Sequence, residues 1–522
     1  MRSLQRTKKS CRLAALAVTA LGLGGCAVGP DFKRPETVVQ KDWRAAGDPH
    51  ISKQAATDGL WWKAFHDPTL DHLVELGYTQ NLPLQIAGLR IVEARAQLGI
   101  ATGMQYPQTQ VAFANANAVG LSQNISKIGN LPRNYVGYQA GFDAAWEMDF
   151  WGKFGRGVEA ETANMLASIG DYYSAVVALT AEIARTYVVI RTQEVLIEQA
   201  RENVAIQEQA LAIAQSRFRN GDTSELDPTQ ATTLLESTRA LIPQRKIVWL
   251  QARNALSTLL GQLPDTVDTL LLGPKTIPKS PPTVAVGVPA EMLRRRPDIR
   301  TAELNAAAQC ARIGIAKADL YPSFSLVGTV GLDASTRGTA SANLFAPSSV
   351  FYTAGPQVNW AFLNYGRIKN AVRVQDARFQ QLLVNYRNAV LRAAQEVEDA
   401  LAGFLNSQEA MVSEEAAVTS AKRSVELSLV AYREGAVDYQ RVLDAQRSLV
   451  DQQDNLAQTT SAIATNLIAL YKALGGGWEL HQNEAVLPAA TQETMKKRTN
   501  WGDMLSEPRE PKPQTKPSEA KQ

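Results

Sequence analysis

The chain has 522 residues, 45% of them hydrophobic, which exceeds the size of one compact domain, and its mean hydropathy of −0.18 excludes a polytopic helical membrane protein. Its 54 basic and 51 acidic residues leave a net charge of +3, which excludes the basic surface of a nucleic-acid-binding protein. Three cysteines and four histidines exclude a disulfide scaffold, a four-cysteine zinc site and an iron–sulfur cluster, and argue against a metalloenzyme.

The first 25 residues predict a secretory signal. Five basic residues lead into the apolar run Leu13–Leu23, which is too short to span a bilayer. The segment ends in the letters LGGC, which resemble the lipobox of bacterial lipoproteins, so we expect cleavage before Cys26 and acylation of that residue. An ordinary secretory signal is the alternative. Ala27 stands where aspartate favours retention in the inner membrane, so the outer membrane is the expected location.

Residues recur at a fixed offset in the two halves of the chain. Pairs 214 positions apart include Gly141 and Gly355, Trp146 and Trp360, Phe218 and Tyr432, and Gly221 and Gly435. The spacing persists over about 160 residues, which favours one internal duplication over coincidence. We therefore expect a first repeat over 26–270, a second repeat over 271–478, and a disordered tail over 479–522.

Strands precede long helices in each half. Four segments of about ten residues alternate apolar with polar positions and carry aromatic residues near their ends: one from Val111, Tyr138–Trp146, Phe324–Leu332 and Tyr352–Phe362. This pattern is typical of transmembrane β-barrel strands, although a soluble sandwich shows similar alternation. A closed barrel needs about eight strands, so several chains must share one. Two chains would give eight strands and a filled interior, and three would give twelve and room for a pore.

The helices carry strict seven-residue repeats, which predict coiled-coil seams. The two series are Val176, Ile183, Ile190, Ile197, Val204, Leu211 and Phe218, and Val390, Val397, Phe404, Met411, Val418, Val425 and Tyr432. We expect a helix over Glu159–Arg219, a turn at Gly221, and a returning helix over Asp227–Leu260. In the second half the turn is expected at Gly435 and the returning helix over Asp438–Leu474. Ser224 and Asp438 are the expected N-caps of the two returning helices.

Four other features have structural rather than catalytic interpretations. We expect the arginine run Arg294–Arg296 to pair with acids or face solvent, and Pro297 to begin a helix. His66 and His72 do not have metalloprotease spacing, so a metal site is not expected. Cys310 has no histidine near it in sequence, so we expect a packing residue rather than a nucleophile.

Three motifs together resemble outer-membrane factors of the TolC/OprM group, lipoprotein subfamily. They are WWKAFHDPTL at 61–70, LRRRPDIR at 293–300 with ARIGIA at 311–316, and YREG at 432–435 with VLDAQ at 442–446. The resemblance covers about residues 26–478. The first-half tip departs from the pattern, because 224–228 reads SELDP without the Val-Leu-Asp form.

This resemblance implies the fold and the function. It implies mixed α and β structure: a homotrimer in which four strands per chain form an outer-membrane β-barrel, continued by a periplasmic α-helical barrel of coiled-coil hairpins. It implies a passive exit duct for drugs and other small toxic compounds in a tripartite pump, with a periplasmic adaptor and an inner-membrane RND-type transporter as partners. No enzymatic activity and no cofactor are implied.

The resemblance also places the constriction at 442–444, near the helix tips. We expect a periplasmic gate formed by Tyr432, Arg441, Asp444, Arg447 and Asp227. Two other functions remain open: an outer-membrane duct for type I protein secretion, and a coiled-coil lipoprotein that forms no channel. An enzyme ranks below both, because no Ser/His/Asp or paired-carboxylate site stands out.

Overall fold

A computed structural model describes residues 27–36, 40–52, 54, 59–124, 132–337, 343–479 and 484–505. The predicted signal segment and the predicted acylation site, Cys26, lie outside the described residues. The chain divides into two compact units. The first, here called the strand unit, comprises Met1–Pro35, Glu93–Ala167 and Ala302–Asn385. The second, here called the hairpin unit, comprises Glu36–Val92, Ser168–Thr301 and Tyr386–Gln522.

The described elements are mostly helical. The helices are α1 (Pro68–Gln80), α2 (Leu82–Gly103), α3 (Lys153–Arg219), α4 (Leu226–Leu259), α5 (Pro289–Arg295), α6 (Pro297–Ala318), α7 (Arg367–Arg433), α8 (Tyr439–Ala473) and α9 (Ala489–Arg498). The strands are β1 (Ile51–Ser52), β2 (Thr109–Gly120), β3 (Asn134–Met148), β4 (Val284–Ala285), β5 (Ser323–Ser335) and β6 (Val350–Asn359). Short 3₁₀ turns lie at Trp61–Phe65, Pro264–Thr269 and Pro347–Ser349.

The four predicted strands form one antiparallel sheet in the strand unit. Its order is β2-β3-β5-β6, so β2 and β6 are edges without a partner in the chain's described sheet. The prediction of four such strands is confirmed. The two-residue strands β1 and β4 form a separate parallel pair in the hairpin unit, which the sequence did not predict.

The two faces of the sheet differ in polarity. Phe142, Val330 and Tyr352 are neighbours across β3, β5 and β6, and they are 66%, 52% and 80% exposed. On the opposite face Thr329 donates a 2.6 Å hydrogen bond to Asp143. An exposed apolar face contradicts a soluble sandwich, which would bury it, and is what lipid contact requires.

A segment at the start of the described chain, residues 27–34, packs along the strand unit; we call it the N-terminal strap. The Val28 N–H donates a 3.0 Å hydrogen bond to the carbonyl of Trp151, just after β3 ends. Gly29 has φ of +110° and lies against Gly314, where an added Cβ would come within 2.5 Å of the Gly314 Cα. Only glycine permits both this backbone conformation and this approach.

Two helical hairpins, α3–α4 and α7–α8, make up most of the hairpin unit, while the first turns of α3 and α7 belong to the strand unit. Helices α3 and α7 each contain 67 residues, and their first residues are 214 positions apart. A helix of this length extends about 100 Å. The predicted long and returning helices are therefore confirmed, although α3 begins six residues earlier than expected.

The buried seam of α3 departs from the predicted heptad series in its second half. Val176, Ile183 and Ile190 are buried as expected, but Phe218 is 43% exposed. Beyond Ile197 the buried positions are Ala200, Asn203, Gln207, Ala210 and Ala214. These positions are themselves seven residues apart (200, 207 and 214; 203 and 210), so the seven-residue period holds while the buried face is not the one that the predicted series follows. The series in α7 stays buried or half-buried through Tyr432.

Among the described helices, α3 alone contains a stretch long and apolar enough to cross a membrane, and 61% of that stretch is buried within the chain. This burial assigns it to the packed core of the helices rather than to lipid.

Helix ends agree with the prediction in one hairpin and not in the other. Asp438 precedes α8 and its carboxylate accepts from the Arg441 N–H, as expected for an N-cap. The prediction of Ser224 as the cap of α4 is wrong, because Glu225 directly precedes the helix and no side chain caps it. The Ser224 hydroxyl accepts from the Leu226 N–H at 3.3 Å instead.

The prediction of a disordered tail is wrong for residues 484–505. This part of the chain contains α9 and buries Leu487, Met495 and Leu505. An added Cβ at Gly88 would meet the Val486 carbonyl at 2.6 Å, so the tail packs closely against α2. Three spaced apolar residues in a polar segment anchor it, which composition alone did not indicate.

Candidate functional site

The candidate site lies where the two hairpins end. Gly221 has φ of +83° and Gly435 has φ of +75°, so both predicted turn glycines adopt the left-handed conformation. After each glycine the next N–H returns to the helix: Asp222 donates to Arg217 and Ala436 to Ala431. These bonds satisfy the last helical carbonyls and make each tip a tight turn.

Five side chains form a connected group at the tips, here called the tip cluster: Arg217, Thr223, Asp227, Tyr432 and Tyr439. The Tyr432 hydroxyl donates a 2.7 Å hydrogen bond to Asp227, and the Thr223 hydroxyl also donates to that carboxylate. The Arg217 guanidinium lies 4.7 Å from the Tyr432 ring centroid and donates to the Tyr432 carbonyl. The Tyr439 ring packs edge-on against Tyr432 at 5.2 Å.

Burial and charge keep both phenols protonated. Burial, together with the hydrogen bond to the Asp227 carboxylate, raises the pKa of Tyr432 far above its usual value. Burial, and the nearby charge of Asp227, raises the pKa of Tyr439 to about 12. Tyr432 is therefore a stable donor at neutral pH, and Asp227 is its acceptor.

Small residues beneath the tip cluster allow the helices to approach closely. The buried layer draws on α3, α4 and α8 and consists of Ala210, Ala214, Ala231, Leu234, Val442 and Leu443. The Val-Leu pair from the predicted constriction motif is thus core packing in a single chain.

The remaining predicted gate residues lie on the exposed side of α8. Arg441, Asp444 and Arg447 are exposed, and Asp444 accepts a 2.8 Å hydrogen bond from Gln440 on its own helix. Within the described part of the chain, neither arginine forms an ion pair through its side chain. The structure therefore brings Tyr432 and Asp227 together and leaves the other three available to another molecule.

Sequence reasoning missed Arg217, Thr223 and Tyr439. The one available signal was the asymmetry between the repeats, since Phe218 stands where the second half has Tyr432. Because the Tyr432 hydroxyl is buried, it needs a hydrogen-bond acceptor. That acceptor is Asp227, which belongs to the other half of the chain.

The motifs away from the tips serve packing. Arg296 is buried, pairs with Asp298 and Glu396 at 2.8 Å each, and donates to the Ala473 carbonyl. Pro297 begins α6, so both expectations for this motif are confirmed. In the hairpin unit the Trp61 ring stacks on Tyr471 with centroids 5.3 Å apart.

The predicted non-catalytic positions have clear roles in the described structure. Asp67 caps α1 through the Thr69 and Leu70 N–H groups and also accepts from the Tyr187 hydroxyl at 2.7 Å. Cys310 is buried, and burial raises the pKa of its thiol, which disfavours the reactive thiolate. No group of three or more His, Cys, Asp or Glu residues among the described positions is placed to hold a metal.

Comparison with known proteins gives consistent matches. The model of the outer membrane efflux protein family matches residues 77–262 and 288–476. The Cation efflux system protein CusC of Escherichia coli O6:H1 is 30% identical over 478 residues, covering 90% of this chain and 99% of that protein. The Probable outer membrane lipoprotein SilC of Salmonella typhimurium is 31% identical over 469 residues, covering 87% and 96%. The solved outer-membrane channel OprN superposes with a TM-score of 0.81 at 31% identity, covering 87% of this chain and 100% of that chain.

Proposed function

This chain belongs to the outer membrane efflux protein family, and on that premise we propose that it is the outer-membrane subunit of a tripartite pump and forms its passive exit duct. The observation that carries the proposal is the open four-stranded sheet with one exposed apolar face. Such a sheet is stable only when its face meets lipid and its edges meet other strands.

The open edges support a trimer. Pairing β2 of one chain with β6 of the next in three copies gives a closed barrel of twelve strands, wide enough for a pore. The two halves supply two strands each, so we infer that residues 26–270 and 271–478 are duplicated repeats. The α3–α4 and α7–α8 hairpins of three chains form the periplasmic helical barrel.

We further propose that acylated Cys26 anchors each chain. The strap holds Ala27 against Gly152, in the turn between β3 and α3, and Asp31 forms a 2.6 Å ion pair with Arg156. These contacts hold Ala27 close to the end of β3, which supports the proposal that an acyl chain attached at the preceding position enters the bilayer. The printed name of the relative SilC includes "lipoprotein", which agrees with this anchor.

The helix tips form the gate in this proposal. The tip cluster holds the hairpins of one chain together, and three copies of Asp444 face one axis, with Arg441 and Arg447 exposed for contacts between chains. Exposed ion pairs contribute only about 0–1 kcal/mol each, so a partner can open the ring by binding the open arrangement more tightly.

The adaptor and the RND-type transporter are the partners that bind the open arrangement, and they supply the energy for export. A groove of about 540 Å³ lies beside the tips and offers a docking surface to the adaptor. Its lining residues are Ile213, Ser216, Arg217, Asn220, Asp222, Arg433, Glu434 and Gly435. The groove includes Arg217, so a bound adaptor can disturb the tip cluster directly.

The substrates proposed are drugs and other small toxic compounds, with metal cations as the second candidate. CusC is named for cation efflux, and the polar face of the sheet carries Asp143, Glu147 and Asp333. The four strands contain no lysine or arginine, so the barrel interior would favour cations over anions.

Complementation tests the proposal. A host lacking its own outer-membrane efflux channel should regain tolerance to cationic dyes or metal salts when it expresses this chain with its native adaptor and transporter. Omission of the adaptor is the control and should abolish the tolerance. Tolerance without the adaptor, or none with all three components present in the membranes, would contradict a tripartite duct.

A further inference from the structure

The seam between α3 and α8 contains polar residues just behind the tips. Asn203 donates a 2.7 Å hydrogen bond from its amide to the amide oxygen of Gln453, and both side chains are buried. Because α3 runs toward the tip and α8 returns from it, this bond fixes their antiparallel register. Seven residues nearer the tip on each helix, Gln446 of α8 lies opposite Ala210 of α3. Ala210 is about one helical turn from Gln207.

Gln207 and Gln446 differ from this pair in having no partners. Each is 2% exposed, and among the described residues neither the amide nitrogen nor the amide oxygen of either side chain has a hydrogen bond. Their burial occurs within one chain. A neighbouring copy in a trimer therefore cannot reach these four atoms, so assembly leaves them unsatisfied.

Unsatisfied buried amides destabilise the arrangement that buries them, because they give up hydrogen bonds to water and receive none in return. Separation of α8 from α3 at this level would hydrate both amides. The tip cluster acts in the opposite direction, since opening breaks the bond between Tyr432 and Asp227. The layer of the two glutamines therefore favours the open arrangement, and the adjacent tip cluster favours the closed one.

We propose that Gln207 and Gln446 are positioning residues of the gate: they set the level at which α8 parts from α3, and their hydration in the open duct offsets the loss of the tip cluster. This inference rests on the proposed gate. The Asn203–Gln453 pair, which is satisfied, marks the end of the segment that moves.

The test replaces both amides with methionine, which has similar length and no strong hydrogen-bonding group. In the full-length chain, Gln207→Met with Gln446→Met should raise the unfolding temperature and should lower adaptor-dependent drug tolerance at least fourfold. A residue with a purely structural role would raise stability without reducing transport. The matched control, Asn203→Met with Gln453→Met, removes a satisfied pair and should leave tolerance within twofold of wild type.

Bilayer recordings separate this inference from the gate itself. Tyr432→Phe with Asp227→Ala should raise single-channel conductance, and adding the two methionines should lower it again. If the tip variants raise conductance and the methionines change neither conductance nor tolerance, the amide inference is wrong and the gate stands. If the tip variants leave conductance unchanged, the proposal that the helix tips form the gate is wrong. A lower unfolding temperature in the methionine variant would also overturn the inference; Gln207→Leu with Gln446→Leu repeats the test if that variant does not assemble.

Discussion

The hydroxyl of Tyr432, at the end of α7, donates a 2.7 Å hydrogen bond to Asp227, at the beginning of α4. It thereby joins the tips of the two hairpins, which come from different halves of the chain. The contact is half-buried and charge-assisted, so it is stronger than an exposed ion pair.

Tyr432→Phe should loosen this junction. The ring packing against Tyr439 is kept, while the donor to Asp227 is lost, at a cost of about 1–3 kcal/mol for a bond to a charged group. We expect greater sensitivity of cells to large antibiotics such as vancomycin. Tyr439→Phe is the matched control, because the Tyr439 hydroxyl forms no hydrogen bond in the described structure. Equal sensitivity of the two variants would show that the hydroxyl does not hold the gate.

Asp444→Ala should change ion selectivity rather than stability. Asp444 is exposed and accepts a hydrogen bond from Gln440 on its own helix, so its removal leaves the core intact. Three copies around one axis would attract cations, and their loss should lower the preference for potassium over chloride. Reversal potentials measured in a salt gradient test this prediction. The control is Glu426→Ala, which removes an exposed acid on the neighbouring helix α7. An unchanged reversal potential would remove Asp444 from the constriction.

Alkaline pH should weaken the tip through Tyr432. Its pKa is raised in the folded chain, so its contribution to stability is complete below the ordinary tyrosine pKa of about 10 and is lost as pH rises through the raised value. Between pH 8 and 11 the unfolding temperature of wild type should therefore fall more than that of Tyr432→Phe. Parallel curves for the two proteins would contradict this linkage.

Cys26→Ser should abolish labelling by palmitate. Cys310→Ser should retain full labelling, because Cys310 is buried in the strand unit and no acyl chain can reach it. The measurement is incorporation of labelled palmitate into the mature chain. Absence of label in the wild-type protein would show that the lipobox interpretation is wrong.

Local periodicity predicted the elements that depend on short-range pattern. Alternation of period two predicted the four strands, and heptads with terminal glycines predicted both hairpins. The change of buried face in the second half of α3 was not predicted, because a seven-residue period does not by itself say which position of each heptad faces the core. The prediction of Ser224 as a cap failed for a similar reason, since several polar residues near the turn compete to precede the helix.

The tip cluster was predicted only in part. Tyr432 and Asp227 were expected near a gate, but their pairing with each other and the role of Arg217 depend on contacts between residues more than 200 positions apart. Thr223 joins the cluster through Asp227, four positions along the chain. The close approach of the strap and of the tail segment at Val486 depends on single glycines, Gly314 and Gly88, whose missing side chains make room for another segment. The sequence pattern of the segments themselves does not predict such contacts.

Single-channel recording of the purified full-length protein in planar bilayers tests the central claim most directly. Native mass of the same sample should show three chains. We expect wild type to give rare, small openings, and Tyr432→Phe with Asp227→Ala to give larger and more frequent ones in the same trimer. A protein that stays monomeric in lipid, or an intact trimer that never conducts even with the tip cluster removed, would contradict a shared duct gated at its helix tips.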